Sequence, residues 1–181
     1  GQNRRLIFNS FRDTEETPAE ILARLAAQDT GHQTRQDGIV NFAGPPVSFT
    51  GRRDGLAATG VTGSIGDVGD AIQGNVLTGD EVVLAAEAGF RAKKGDMGQK
   101  MMAAMEGARA LGGDGRCSCD DSDPTGCGVP PPDFEKSAHV GVVIIARVGD
   151  TNGGCNDNRG CAQGEYYLNL NVSRGGLDDP D

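Results

Sequence analysis

Aromatic and basic residues are scarce in this sequence. It has no tryptophan, two tyrosines and six phenylalanines among 181 residues, so the core has to be built from aliphatic and small side chains. Lysine and arginine total 17 against 26 aspartates and glutamates, which gives a formal net charge of −9. Because phosphate contacts need a basic patch, we expect neither a nucleic acid nor an anionic membrane as a partner.

Long hydrophobic runs are also missing. The longest apolar stretch, residues 140–148, is interrupted by Gly141 and Arg147 and is far shorter than the roughly 20 residues of a membrane-spanning helix. Hydrophobic residues still make up 36% of the chain, and we predict a single domain over residues 1–181. The first residues, Gly1 to Arg5, show neither an initiator methionine nor a signal peptide, so we expect that an upstream fragment has been removed.

Five cysteines lie in two segments rich in glycine and aspartate, residues 117–132 and 149–164, which we interpret as loop insertions. They are Cys117, Cys119, Cys127, Cys155 and Cys161. Their spacing does not match the tight pairs of a zinc site, so no metal site is predicted from them, and disulfides fit better. We predict a bridge from Cys155 to Cys161 and one from Cys127 to either Cys117 or Cys119. Such bridges favour a secreted, periplasmic or cell-surface protein.

Two acidic stretches, residues 120–123 and 150–158, offer oxygen ligands of the kind that calcium prefers. Neither stretch has the spacing of an EF-hand. We therefore predict no cofactor, and calcium is the one cation that these stretches could hold.

Apolar residues at helical spacing indicate four helices. The first covers residues 3–13, the second ends near residue 28, the third runs to about residue 93, and the fourth stops at Gly112 and Gly113. Capping boxes mark the last three starts: Thr17 with Glu20, Thr78 with Glu81, and Asp96 with Gln99.

Strands are predicted between and after these helices. Residues 35–42 and 47–50 form a hairpin, residues 51–70 form a long loop, and residues 71–77 form a further strand. Residues 138–148 are so continuously apolar that we expect both faces of this strand to be covered, and residues 166–172 alternate like a strand with one wetter face. Helices that cover a mostly antiparallel sheet make an α+β domain.

Four segments together resemble one known family, the domain of unknown function 1028. They are Arg35-Gln36-Asp37-Gly38-Ile39-Val40, Phe49-Thr50-Gly51, Ala71-Ile72-Gln73-Gly74-Asn75-Val76-Leu77-Thr78-Gly79 and Gly112-Gly113-Asp114-Gly115-Arg116. The resemblance implies an N-terminal-nucleophile-hydrolase-like fold, a four-layer αββα sandwich that is N-terminally incomplete here because the family's first strands would precede Gly1. The loop 117–132 resembles the secreted, cysteine-bearing branch.

The resemblance also directs the search for a site. If an upstream segment supplies the nucleophile, Gln73 and Asn75 are candidates to line the site, because paired amides on an apolar strand need a reason. The alternative is that they cap the backbone of a neighbouring loop.

Three further residues are candidates for the same cleft. Arg35 and Gln36 could bind a carboxylate there or form a buried ion pair with Asp37 or Asp114, and Asp114 could instead fix a turn. The two histidines, His32 and His139, have no nucleophile partner in the sequence.

Two functions follow as expectations. The first is a secreted hydrolase of the N-terminal-nucleophile type, which cleaves an amide bond with a nucleophile upstream of Gly1. The alternative is a non-catalytic extracellular module, structural or binding, that self-assembles into a homo-oligomer.

Overall fold

The computed structural model describes residues 2–151 and 164–173. Its helices are α1 (Gln2–Asp13), α2 (Pro18–Gln28), α3 (Glu81–Ala92), α4 (Met97–Ala110) and the short α5 (Gly115–Ser118), with a 3₁₀ turn at His32–Thr34. Its strands are β1 (Gln36–Ile39), β2 (Val47–Thr50), β3 (Thr59–Ile65), β4 (Val68–Gly74), β5 (Val140–Ile145) and β6 (Leu168–Ser173). None of the helices in these ranges is long and apolar enough to cross a bilayer.

The described strands form three antiparallel pairs, β1 with β2, β3 with β4, and β5 with β6. Gln36 pairs with Thr50 in the first, and Thr59 pairs with Gly74 in the second. The α+β class predicted from the sequence is therefore confirmed.

Two of the three predicted capping boxes are present. Thr17 accepts from the Glu20 amide while the Glu20 carboxylate accepts from the Thr17 amide, and Asp96 and Gln99 do the same at α4. The box at α3 was wrong. Asp80 occupies the N-cap there, and the Thr78 hydroxyl donates to the Leu111 carbonyl at 2.6 Å, so it serves the end of α4 instead.

The long loop predicted over residues 51–70 was also wrong, because most of its second half forms β3 and the start of β4. The two strands turn tightly at Gly66 and Asp67, and Gly66 has a φ of +57°. Small residues lie along both strands since both faces are covered, one by α3 and the other by the β1–β2 hairpin. Glycines that allow close packing therefore had the sequence signature of a loop.

The β1–β2 and β3–β4 hairpins are the two inner hairpins, and each packs against its own helices. The first core cluster joins α1, α2, β1 and β2 through Leu6, Ile21, Leu25 and Ile39, with Ile7, Leu22 and Val47 at its margin. The second joins β3, β4, α3 and α4 through Leu77, Val82 and Val83, with Ala57, Val61, Ile72, Ala108 and Leu111 around them. The two hairpins thus each have one face sealed by aliphatic side chains.

The remaining faces of the two hairpins lie against each other, and glycines make this possible. A methyl group on Gly38 would overlap the Gln73 side chain, and one on Gly60 would overlap the Ser48 hydroxyl. One on Gly69 would lie 2.8 Å from Pro46 Cγ. The order of packing is therefore α2, β1–β2, β3–β4, α3.

The strand predicted to be covered on both faces, β5, is covered on one. Val143 is 5% exposed and Ile145 reaches Gly98 of α4, whereas Val140, Val142 and Ile144 are 59%, 51% and 46% exposed. Alternate residues of a strand point to opposite sides, and no element of the described ranges covers the second side.

One predicted disulfide is present, between Cys119 and Cys127, whose Cα atoms are 5.6 Å apart. Cys117, the other candidate partner of Cys127, is a free thiol. The predicted Cys155–Cys161 bridge lies outside the described residues, as does most of the 149–164 insertion.

Candidate functional site

The side chain of Gln36 lies where the two inner hairpins meet. Its amide nitrogen Nε2 is 3.0 Å from Thr50 Oγ1, 3.0 Å from the Thr59 carbonyl oxygen and 2.9 Å from the Gly74 carbonyl oxygen. These acceptors belong to β2, β3 and β4 and share the two amide protons, so one amide on β1 ties all four strands together. Gln36, a predicted site residue, therefore positions the groups around it.

A polar cleft of about 410 Å³ opens beside Gln36, between β2, the β2–β3 loop and the start of β3. It is lined by Ser48, Thr50, Gly51, Arg52, Gly55, Ala58, Thr59 and Gly60. Of these described residues, Arg52 is the charged one. The Ser48 hydroxyl is buried and has no hydrogen-bond partner among the described residues.

The end of β4 forms the neighbouring edge of the site. Asn75 donates from Nδ2 to Asp54 Oδ2 at 3.1 Å, which fixes the loop that carries Arg52. This is close to the structural alternative for Asn75, since it does hold a loop, although through a side chain instead of the backbone. Gln73 lies over Gly38 in the contact between the hairpins.

The backbone beside this edge is strained. Ala57 and Val76 have φ values of +42° and +52°, in the left-handed region that side chains other than glycine rarely adopt. The two segments meet through a hydrogen bond of 2.8 Å from the Val76 amide to the Leu56 carbonyl. Such residues cost about 1–3 kcal/mol each and cluster at binding and catalytic sites.

Two predicted site residues are engaged elsewhere. Arg35 Nε donates to Asp29 Oδ2 at 2.9 Å, so the alternative of an ion pair between Arg35 and Asp37 or Asp114 was wrong. Hydrogen bonds to Asp29 from Asn3, Arg35 and the Gly31 amide lower its pKa to about 2.

Asp114 fixes a turn, which confirms one of the two interpretations of this residue. It accepts from the Arg116 amide at 3.0 Å and from its guanidinium at 2.9 and 2.6 Å, and it caps α5. Its backbone pairs with Leu77 just beyond β4, so the residue lies near the site while its carboxylate faces Arg116.

The sequence profile of one protein family, described as "Family of unknown function (DUF1028)", matches residues 9–122. The chain belongs to this family. The four segments that carried the resemblance all fall inside the match, and so does the whole cleft of this DUF1028 domain. Comparison with curated proteins and with solved structures gave no match.

A second polar group of the DUF1028 domain lies on the other face of β1–β2. The His32 ring stacks on Phe49 with centroids 4.0 Å apart, and His32 Nδ1 is 3.9 Å from Asp37 Oδ2. Neither atom has a hydrogen-bond partner among the described residues. Sequence reasoning assigned His32 no partner, because Asp37 and Phe49 reach it only once the hairpin forms.

Burial raises the pKa of Asp37 above its ordinary value of 3.8. A raised pKa means that the folded state holds this proton more tightly than the unfolded state. The favourable contribution of Asp37 to the free energy of unfolding is therefore fully present below pH 3.8, and it is lost as the pH rises through the pKa of the folded state. We therefore expect Asp37→Asn to be more stable than the parent at pH 7 and to lose that advantage below pH 3.8. Urea unfolding at both pH values measures this, with exposed Asp67→Asn as the control; an equal difference at both pH values would contradict it.

The acidic stretch considered for calcium is used locally where it is described. Asp120 Oδ1 accepts from the amide and the hydroxyl of Ser122 at 2.8 and 2.6 Å. In residues 2–151 and 164–173, no three His, Cys, Asp or Glu side chains converge as a metal site would require.

Proposed function

We propose that the protein is a hydrolase-like domain of the N-terminal-nucleophile type, which cleaves an amide bond of a substrate held in the polar cleft. The observation that supports this most is the packing order of α2, β1–β2, β3–β4 and α3, which is the order of an αββα sandwich. In that architecture the cleft between the two hairpins lies between the two β layers, where a substrate can reach both.

The chemistry requires a nucleophile with a base beside it, and the described lining of the cleft has hydroxyls but no base. Ser48 faces the cleft, whereas His32 and Asp37 lie against the opposite face of the β1–β2 hairpin. A Thr, Ser or Cys at a free N-terminus carries its own base, its α-amine, and needs only nearby donors for the oxyanion. We place this nucleophile on a segment upstream of Gly1, with the hydroxyls of the cleft as the donors for substrate.

The compartment follows from the cysteines. The Cys119–Cys127 disulfide favours an oxidising environment, since cytosolic thiols are kept reduced. We therefore propose a secreted, periplasmic or cell-surface location.

A second function, a non-catalytic module that self-assembles, is favoured by β5 and β6. Their sheet has two strands in the described part of the chain, and Val140, Val142 and Ile144 form an exposed apolar row on it. Unpaired strand edges and such rows are surfaces on which chains associate.

Labelling of the native protein from its source with an amide-directed electrophile separates the two functions. The hydrolase predicts stoichiometric modification of an N-terminal Thr, Ser or Cys, seen by intact mass and N-terminal sequencing, with loss of amide hydrolysis. Heat-denatured protein and the isolated 1–181 chain are the controls and should stay unmodified. Native protein that is unlabelled and sediments as ordered multimers would instead support the module.

A further inference from the structure

We propose that the cleft binds a carboxylate, so that the substrate is an amide with a carboxylate group close to the bond that is cleaved, as in an N-acyl amino acid. That the bound molecule is a substrate rests on the proposed function. The binding of the carboxylate itself rests on the cleft.

The charge of the cleft lining favours an anion. Among the described residues that line the cleft, Arg52 is the one that carries a charge, and none is a carboxylate. Arg52 forms no ion pair with any described residue, although the chain carries a net charge of −9. An unpaired guanidinium facing a concave polar surface matches the planar geometry of a carboxylate.

The hydroxyl groups of the cleft favour a ligand that accepts hydrogen bonds. Ser48 and Thr50 are two residues apart on β2 and therefore point to the same side. Thr50 Oγ1 already accepts from Gln36, which leaves its proton free to be donated, and Ser48 Oγ, which lies against Gly60, has no partner among the described residues. A buried hydroxyl without a partner is unfavourable, and an acceptor bound in the cleft would relieve that cost.

The donor set also distinguishes among ligands. A carboxylate has only acceptor atoms, so one guanidinium and two hydroxyls satisfy it, whereas an amine would find no acceptor side chain of opposite charge. A phosphate carries more charge and is commonly held by several cations or by a helix N-terminus. One arginine therefore favours the singly charged carboxylate.

Glycines let the walls of the cleft pack closely against their neighbours. A Cβ at Gly60 would overlap the Ser48 hydroxyl, and a Cβ at Gly51 would overlap the Gln33 backbone. The loop between them is tied to the end of β4 by the Asn75–Asp54 bond, which fixes the backbone that carries Arg52. A preformed site loses less entropy on binding than a mobile one.

The test is calorimetric titration of the 1–181 chain with N-acetyl-L-alanine and with its uncharged methylamide. We expect the acid to bind about tenfold more tightly than the methylamide, since a charge-assisted hydrogen bond is worth that much or more. Arg52→Gln should abolish the preference, and Arg53→Gln, at a neighbouring exposed position outside the lining, should keep it. Equal binding of the two probes, or equal effects of the two variants, would overturn the proposal.

Two further arms complete the test. Ser48→Ala should weaken the acid several-fold and leave the methylamide unchanged, and urea unfolding checks that each variant is folded. Inorganic phosphate that binds as tightly as the acid through Arg52 would contradict the choice of carboxylate. In native protein, Arg52-dependent binding without hydrolysis would refute the hydrolase and keep the carboxylate site, while hydrolysis with no preference for acids would do the reverse.

Discussion

Replacing Leu25 by alanine is expected to lower the free energy of unfolding by about 3 kcal/mol. Leu25 is fully buried in α2 and belongs to the cluster that joins Leu6, Ile21 and Ile39. The substitution removes apolar contacts and leaves a cavity among α1, α2 and β1, and the backbone elements around it can collapse only partly. Ile21, also at 0% exposure, adjoins the same space.

Urea unfolding followed by circular dichroism measures the loss. Leu84→Ala is the matched control, because Leu84 lies on α3 but is 52% exposed, so its change should stay below about 1 kcal/mol. Equal losses from the two variants would contradict the cluster as the support of α2.

The same cluster bears on the cleft. Ile39 lies in it on β1, three residues after Gln36, whose amide ties β1 to the other three strands. Since α2 seals the outer face of the β1–β2 hairpin, a weaker core there should also loosen the position of Thr50 and Ser48 on the inner face. One face of the β1–β2 hairpin thus packs in the core, and the other face carries the ligand donors.

Local motifs were the part of the fold that could be predicted from the sequence. The boxes at Thr17 and Asp96 need only residues three positions apart and no distant group competes for them, whereas the box at Thr78 was lost to the Leu111 carbonyl. The β3–β4 hairpin was missed because its glycines are explained by a neighbouring hairpin that the sequence does not show. The exposed side of β5 was missed because an apolar run gives no sign of which neighbours cover it.

The candidate site, like the fold, could be predicted from the sequence only in part. Gln36, Gln73 and Asn75 were recognisable as polar residues on strands, and the structure gathers them where the hairpins meet. Ser48 and Arg52 gave no signal, since a serine in a short strand and an arginine in a loop are ordinary. Only the stacking of one hairpin on the other turns them into the lining of a cleft.

Gly107→Ala is expected to destabilise the protein by about 2 kcal/mol, against the usual gain of about 1 kcal/mol for this change in a helix. Gly107 lies in α4 where that helix crosses α3, and a methyl group there would overlap the Ala85 carbonyl oxygen and lie 2.9 Å from the carbonyl carbon. Because the obstacle is backbone, no side chain can turn aside, and the two helices must separate.

Gly98→Ala in the same helix is the matched control. Its new methyl group would lie 3.3 Å from Asp96 Oδ1 and 3.5 Å from Ile145 Cδ1, contacts that small shifts can accommodate, so the change should stay within about 1 kcal/mol. Urea unfolding of both variants measures the difference. A Gly107→Ala protein as stable as the parent would show that α3 and α4 can separate without cost.

Gly89 allows a test of the mechanism of this loss. It lies on α3 and faces the Ala103 carbonyl of α4, so the two glycines occupy the same crossing from opposite sides. If each substitution pushes the whole helices apart, the first relieves part of the second, and the double variant Gly89→Ala/Gly107→Ala should lose less than the sum of the single losses. A fully additive loss would mean that each overlap is relieved locally, by a bend in one helix.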